Sequence, residues 1–261
     1  MKLPTIVRKA QRYLLGKIFY QGSVDELGNI IPPKRFFRNL NQKIIESGYA
    51  PPWILTREEC QNFWKSITNE EEFAGNRPAD YAAKSMGVVE FLHDFWIPQV
   101  RPENSILELG CNVGANLNGL FARGYRNLSG IEINKNAIEA MRRIFPELAK
   151  IARISQGSVE EVLPQTPSKS VDVIFTMATL IHIHPTSNFI FLEMVRVAKK
   201  YIVVIEGETA NCGHVFARNY RRVFQRLGCP QLKSVMITRG AFPNVRNYDG
   251  YTARMFSVPK S

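Results

Sequence analysis

Residues 105–116, Ser-Ile-Leu-Glu-Leu-Gly-Cys-Asn-Val-Gly-Ala-Asn, carry an apolar run into a glycine turn and then into a helical pattern. Eighteen residues beyond Gly114 a second apolar run ends in an acid, within Gly130-Ile131-Glu132-Ile133-Asn134. An apolar strand, a tight glycine turn, a helix and a second strand tipped by a carboxylate make a βαβ unit of the nucleoside-binding kind. Gly110 lets the chain leave the first strand at a backbone angle other residues resist. Gly114 lets the following helix pack closely. Glu132 is placed to accept from the two hydroxyls of a ribose. Cys111 and Asn112 occupy the turn where a dinucleotide fingerprint would set its middle glycine. No Gly-Lys-Ser/Thr follows, so a P-loop is excluded. The turn therefore suits a nucleoside without phosphates.

The rest of the chain fits one domain of this class with an extension before it. Its 261 residues can bury a full α/β core. Residues 1–75 lack long periodicity, but Arg8–Phe19, Phe36–Glu46 and Arg57–Ile67 read as helices. They form an expected basic, mostly helical extension or lid. A helix capped by Asn76 or Asp80 should run to about Trp96 and open the second unit, residues 76–261. Beyond it, strands are expected at 106–109, 128–133, 151–156, 171–177, 201–206, 235–238 and 253–258. Helices are expected at 115–123, 135–145, 188–198 and 216–227. This alternation predicts an α/β fold, a doubly wound, mostly parallel seven-stranded sheet. In such sheets ligands lie outside the carboxyl ends of the strands.

The net charge is +11. Nine Lys and Arg against three acids fall in the first fifty residues, and Arg218, Arg221, Arg222 and Arg226 form a second cluster. Such surfaces attract nucleic acid, anionic lipid or acidic metabolites, or are simply solvated. No aromatic-studded RNA-binding signature accompanies the charge. No apolar run reaches the length of a membrane span, and no signal peptide is apparent at the start. Cys60, Cys111, Cys212 and Cys229 form neither a metal pair nor a disulfide framework, so free thiols in a cytoplasmic protein are expected.

The stretch Glu108-Leu109-Gly110-Cys111-Asn112-Val113-Gly114 closely resembles motif I of the class I methyltransferases that use S-adenosylmethionine, E-x-G-x-G-x-G. Asn112 departs from it where many members have glycine. The resemblance implies a Rossmann-like methyltransferase fold and S-adenosylmethionine as cofactor. It implies a cofactor site of Glu108, Gly110, Cys111, Asn112, Gly114, Glu132 and Ile133. Ser158 and Val159 follow the third strand; there the family usually has an acid that accepts from the adenine amino group, and Ser158 or Glu160 would replace it. Thr176 and Ala178, after the fourth strand, would line the methionine side. Trp64, Arg77 and Tyr81 are candidates for a lid. Residues 100–210 are also loosely similar to bacterial methyltransferases tied to surface-sugar biosynthesis. The Asn/Asp-Pro-Pro-Tyr/Phe motif of nucleobase amino-methylating enzymes is missing.

His182 and His184 are the candidate general bases, because imidazole titrates near neutral pH. On an extended segment they would point the same way. No further Cys/His cluster supports a zinc pair, and no metal is expected. Glu206, Glu208 and Asn211 lie where substrate could bind, and Arg218, Tyr220 and Arg222 could meet an anionic one. Three readings follow: methyl transfer to a small molecule or sugar; methyl transfer to RNA or protein docked on the basic N-terminal zone; or a non-catalytic nucleotide-binding protein on the same fold.

Overall fold

In a computed structural model the described residues are 5–21, 23–24, 30–31, 34–70, 76–84, 86–96, 98–209, 211–212, 214–242 and 248–259. Seven strands form one sheet: β1 (Ile106–Leu109), β2 (Leu128–Glu132), β3 (Arg153–Gln156), β4 (Val171–Met177), β5 (Ala198–Gly207), β6 (Gln231–Met236) and β7 (Tyr251–Ser257). Their order is β6-β7-β5-β4-β1-β2-β3. The strands from β5 to β3 pair in parallel, while β7 runs antiparallel to both β5 and β6. The order reverses between β1 and β4, which is where a doubly wound sheet opens a crevice.

Both faces are covered, so the central strands read as continuous apolar runs rather than alternating ones. Ile106, Val173, Phe175, Val203 and Ile205 face one core, with α5 (Met86–Trp96) and α6 (Ala115–Ala122) against them. Leu107, Leu109, Ile174, Ile202 and Val204 face the other, under α10 (Ile190–Val197) and α11 (Tyr220–Arg226).

Several boundaries differ from those the sequence suggests, each for a local reason. The expected helix over 76–96 is described in two stretches, α4 (Pro78–Lys84) and α5, on either side of residue 85, which lies outside the described residues. After α7 (Lys135–Ile144), Pro146 begins a new helix, α8 (Pro146–Ile151), at the position proline tolerates best. Strand β3 therefore starts at Arg153, not at 151. Helix α11 starts at Tyr220 rather than 216, because the Asn219 side chain accepts from the Arg222 N–H, while Val215–Phe216 pair with Asn211–Cys212. It closes in a Schellman motif, with Gly228 at φ +76° and the Cys229 N–H donating to the Phe224 carbonyl. The sixth strand lies at 231–236, earlier than expected.

The N-terminal segment contributes α1 (Thr5–Gly16), which runs on as a π-helical stretch to Gln21, then α2 (Arg35–Glu46) and α3 (Arg57–Ser66). Thr56 and Glu59 form a capping box at the start of α3. This segment is joined to the sheet domain by named bonds. Asn134 and Asn136 donate to the Ile67 carbonyl, and Asn188 donates to the carbonyls of Ile45 and Glu46. Cys111 and Cys229 are free thiols; the Cys212 side chain lies outside the described residues.

Candidate active site

A cavity of about 1120 Å³, counting space open to solvent, lies at the carboxyl ends of β1, β2 and β4. Helix α3 walls its other side with Arg57, Cys60, Gln61 and Trp64. Glu108, Gly110, Cys111, Asn112, Glu132, Ile133, Ser158, Val159, Ala178, Tyr81, His182 and His184 all line it.

The turn after β1 has the geometry a close ligand approach requires. Gly110, Asn112 and Gly114 sit at φ +70°, +47° and +69°. Asparagine is among the few residues with a side chain that enter this region readily, which explains how it stands where glycine is usual. A Cβ on Gly110 would lie 2.3 Å from Thr179 Oγ1, and one on Gly114 would lie 2.8 Å from Met141 Sδ in α7. Gly130 in β2 is equally constrained, since its Cβ would come within 2.5 Å of Cys111 Sγ.

Two buried carboxylates face this turn. Glu132 accepts from the backbone N–H of Asn112 at 2.7 Å and of Asn134 at 2.8 Å. Burial raises its pKa against the pull of those donors. Glu108 accepts from the Asn116 amide at 2.8 Å, but its second oxygen is buried without a partner. Burial, reinforced by the neighbouring Glu132 charge, pushes Glu108 up to about 8. An orphaned carboxylate oxygen in a cavity invites a cationic or hydrogen-bond-donating ligand. S-adenosylmethionine carries an ammonium, a sulfonium and two ribose hydroxyls, so the residues present fit it.

Other expected site residues are placed elsewhere. Thr176 does not line the cavity; it is fully buried and its hydroxyl donates to Glu206 at 3.0 Å. Gly114 also lies outside the cavity lining and acts through packing. Arg77 is held by Asp80 through two guanidinium bonds of 3.0 and 3.1 Å and does not reach the lining. The Ser158 hydroxyl accepts from the Glu161 N–H while Glu161 accepts from the Ser158 N–H, a capping box for α9 (Val159–Val162). Its hydroxyl is thus committed to the helix, and Glu160 is the lining carboxylate beside it.

The histidine segment is not extended. Leu180–His182 is one 3-10 turn and His184 caps the next, Pro185–Ser187. Both rings nonetheless line the cavity. His182 Nδ1 lies 3.1 Å from the His214 carbonyl, which can only accept, so Nδ1 carries the proton and Nε2 the lone pair. His184 Nδ1 accepts from the Thr186 N–H, which leaves the proton on its buried Nε2, toward the Leu55 backbone. Burial lowers both histidines to about 4. Trp64 packs edge-on to His182 with centroids 4.6 Å apart.

Glu206 is not a substrate residue. It is fully buried and accepts from the N–H groups of Thr179, Leu180 and Ile181, at 2.9–3.2 Å. Arg218, also fully buried, donates to the carbonyls of Leu180, Phe216 and Ile183 and to the Asn188 amide oxygen. The histidine segment is therefore gripped by a carboxyl on its donors and a guanidinium on its acceptors. Tyr220 is fully buried, Arg222 pairs with Glu46, and Glu208 is neutralised by Arg254 at 2.7 Å. The Asn211 side chain lies outside the described residues. Among the described residues no group of His, Cys, Asp and Glu could hold a metal ion.

Sheet order, the turn after β1 and the acid ending β2 are those of a Rossmann-like methyltransferase fold. Residues 107–204 match a family model described as a methyltransferase domain. A search of curated proteins found no significant match. Among solved structures, geranyl diphosphate C-methyltransferase from Streptomyces coelicolor A3(2) shares 13% identity at a TM-score of 0.56. That match covers 78% of this chain and 98% of the other, which was crystallised with Mg2+, geranyl diphosphate and S-adenosyl-L-homocysteine. A chain from the complex of the Haloferax volcanii Trm112 methyltransferase activator and a putative methyltransferase reaches 0.58 at 13% identity, covering 75% and 99%. The [4+2]-cyclase SpnF reaches 0.53 at 13% identity, covering 75% and 86%. The last of these is a reminder that this fold does not by itself fix the reaction.

Proposed function

We propose that the chain transfers a methyl group from S-adenosylmethionine to a small-molecule or sugar acceptor. The observation that carries this reading is that α3 adds Trp64, Gln61 and Arg57 to the wall of the cavity that the two carboxylates also line. A walled chamber suits a small acceptor better than a polymer strand. The bound cofactor supplies an electrophilic methyl on a sulfonium.

The remaining work belongs to the protein. Glu132 would hold the ribose and Glu108 the ammonium. The turn at Gly110–Asn112 would receive the adenosine, and Glu160 would accept from the adenine amino group. The Trp64 Nε1–H, which has no hydrogen-bond partner, would donate to an oxygen atom of the acceptor. His182 Nε2 takes the acceptor's proton as its oxygen gains the methyl. A base of pKa about 4 is weak against a free alcohol but sufficient here, because an alkylated hydroxyl is far more acidic. His182 is neutral at all pH values above that, so the rate should show no histidine limb near 6.5.

The test is isothermal titration with S-adenosylmethionine, followed by transfer of labelled methyl to pooled sugars and small alcohols. Cofactor binding with label moving only into RNA or protein would overturn the acceptor assignment. Undiminished transfer by the double variant His182→Ala, His184→Ala would overturn the proton route.

A further inference from the structure

The N-terminal segment has a feature the transfer reaction does not use. Helices α1 and α2 expose large apolar side chains that a solvated surface has no reason to present. Phe36 is 70% exposed, Leu14 62% and Tyr13 58%, with Ile18 and Leu40 also exposed. They are spaced as helix faces: Leu14 with Ile18, and Phe36 with Leu40, each pair four residues apart. The two helices adjoin, since Phe19 at the end of the first packs edge-on to Phe37 in the second at 5.7 Å.

The cations are interleaved with these side chains. Lys9, Lys17, Arg35, Arg38 and Lys43 are exposed on the same two helices. Lys17 Nζ lies 4.4 Å over the Tyr13 ring, a cation–π contact that sets the charge directly on the aromatic face. Among the described residues of α1 and α2 the one acid is Glu46, and it turns inward to the Asn219 N–H and Arg222. The surface is thus apolar and positive together, with no exposed negative charge among its described residues.

We propose that α1 and α2 form a docking surface for an anionic lipid bilayer. Helices that lie in a membrane interface combine aliphatic and aromatic side chains on one side with Lys and Arg beside them. The aliphatic side chains of Leu14, Ile18 and Leu40 distinguish this occupant from nucleic acid, which would use aromatic stacking and cations but has no place for them. Nothing here requires a span, and no helix among the described residues is long and apolar enough to cross a membrane. The surface is coupled to the cavity wall: Arg12 on α1 holds Glu59 on α3 through two bonds of 2.9 and 3.3 Å.

The test is co-sedimentation of the full chain with vesicles of phosphatidylcholine, with and without phosphatidylserine. Binding should require phosphatidylserine and weaken as salt is added. The variant Phe36→Asp, Leu40→Asp should bind about tenfold more weakly or worse, with unchanged cofactor affinity. The charge variant Arg35→Glu, Arg38→Glu, which touches no packed side chain, should weaken it as well. No binding to either vesicle overturns the proposal. So does vesicle binding that survives the aspartates, since charge alone would then explain it. A surface whose loss abolishes RNA binding or self-association, while leaving vesicle binding intact, also overturns it.

Discussion

Glu108 offers the sharpest test of how the cavity receives its cofactor. Its carboxyl is buried, one oxygen is satisfied by Asn116 and the other is unsatisfied. With the pKa at about 8 in the empty site, about nine in ten molecules carry the proton at pH 7. A bound ammonium or sulfonium favours the ionised form and returns the group toward its ordinary 4.5. Binding at pH 7 should therefore release about 0.9 of a proton, and affinity should climb about tenfold from pH 6 to pH 7. Titration calorimetry in two buffers of different ionisation enthalpy reads the proton count directly. Glu108→Gln keeps the acceptor for Asn116 and removes the titration, so both the release and the slope should vanish. S-adenosylhomocysteine keeps the ammonium and lacks the sulfonium charge, so its proton count shows which cation the carboxylate faces. Equal heats in the two buffers, or an unchanged slope in the glutamine variant, would refute the assignment.

Other outcomes follow from the same geometry. Glu132→Ala should weaken cofactor binding severely and also destabilise the fold by about 1–3 kcal/mol for each N–H left unpaired, measured by urea titration; Glu132→Gln separates the two effects. Gly110→Ala should destabilise the protein, and Thr179→Ala should recover part of the loss, leaving only the cost of a positive φ; additive single effects would mean the 2.3 Å approach is not what excludes the side chain. In the cofactor-free protein, Glu108 and Glu206, at about 8 and about 7, hold protons that the unfolded chain has lost above about 4.5. Stability should therefore rise as pH falls from 8 to about 6.5. Below that, His182 and His184, neutral in the fold down to about 4, oppose the trend because the unfolded chain gains protons there. Thermal melts across this range should flatten above pH 6.5 in the double variant Glu108→Gln, Glu206→Gln.

The strand–turn–helix–strand core was legible because each part is local. An apolar run, a glycine turn and an acid at a fixed distance need no knowledge of the rest of the chain. Asn112 is an example: its departure from glycine could be read as tolerable from its own φ preference. Strand-end acids were not legible in the same way. Glu132 and Glu206 both terminate apolar strands, yet one faces the cavity and the other is consumed by three backbone N–H groups and Thr176. Only the path of residues 178–184 distinguishes them, and that path is tertiary. Ser158 is a different case. Ser-Val-Glu-Glu is a visible capping-box pattern, and reading it as such would have removed Ser158's hydroxyl from the adenine contacts. Arg218 looked like one of a cluster on a solvated helix, but it precedes α11 and is the member that the Leu180 and Ile183 carbonyls draw inside.

Glu206 and Arg218, the two buried side chains that hold the histidine segment, bear on how the proposed reaction is organised. A 3-10 turn presents donors at one end and acceptors at the other, and few of them can be met within so short a turn. Glu206 meets the donors and Arg218 the acceptors, so the segment that carries His182 and His184 is fixed without covering the face those rings turn to the cavity. Arg218 also binds Asn188, and Asn188 binds the end of α2. His182 and His184, the proposed bases, and the helices that bear the exposed apolar face are thereby parts of one hydrogen-bonded frame. Displacing α2 acts directly on the Asn188 side chain, and through it on the guanidinium that positions the histidines.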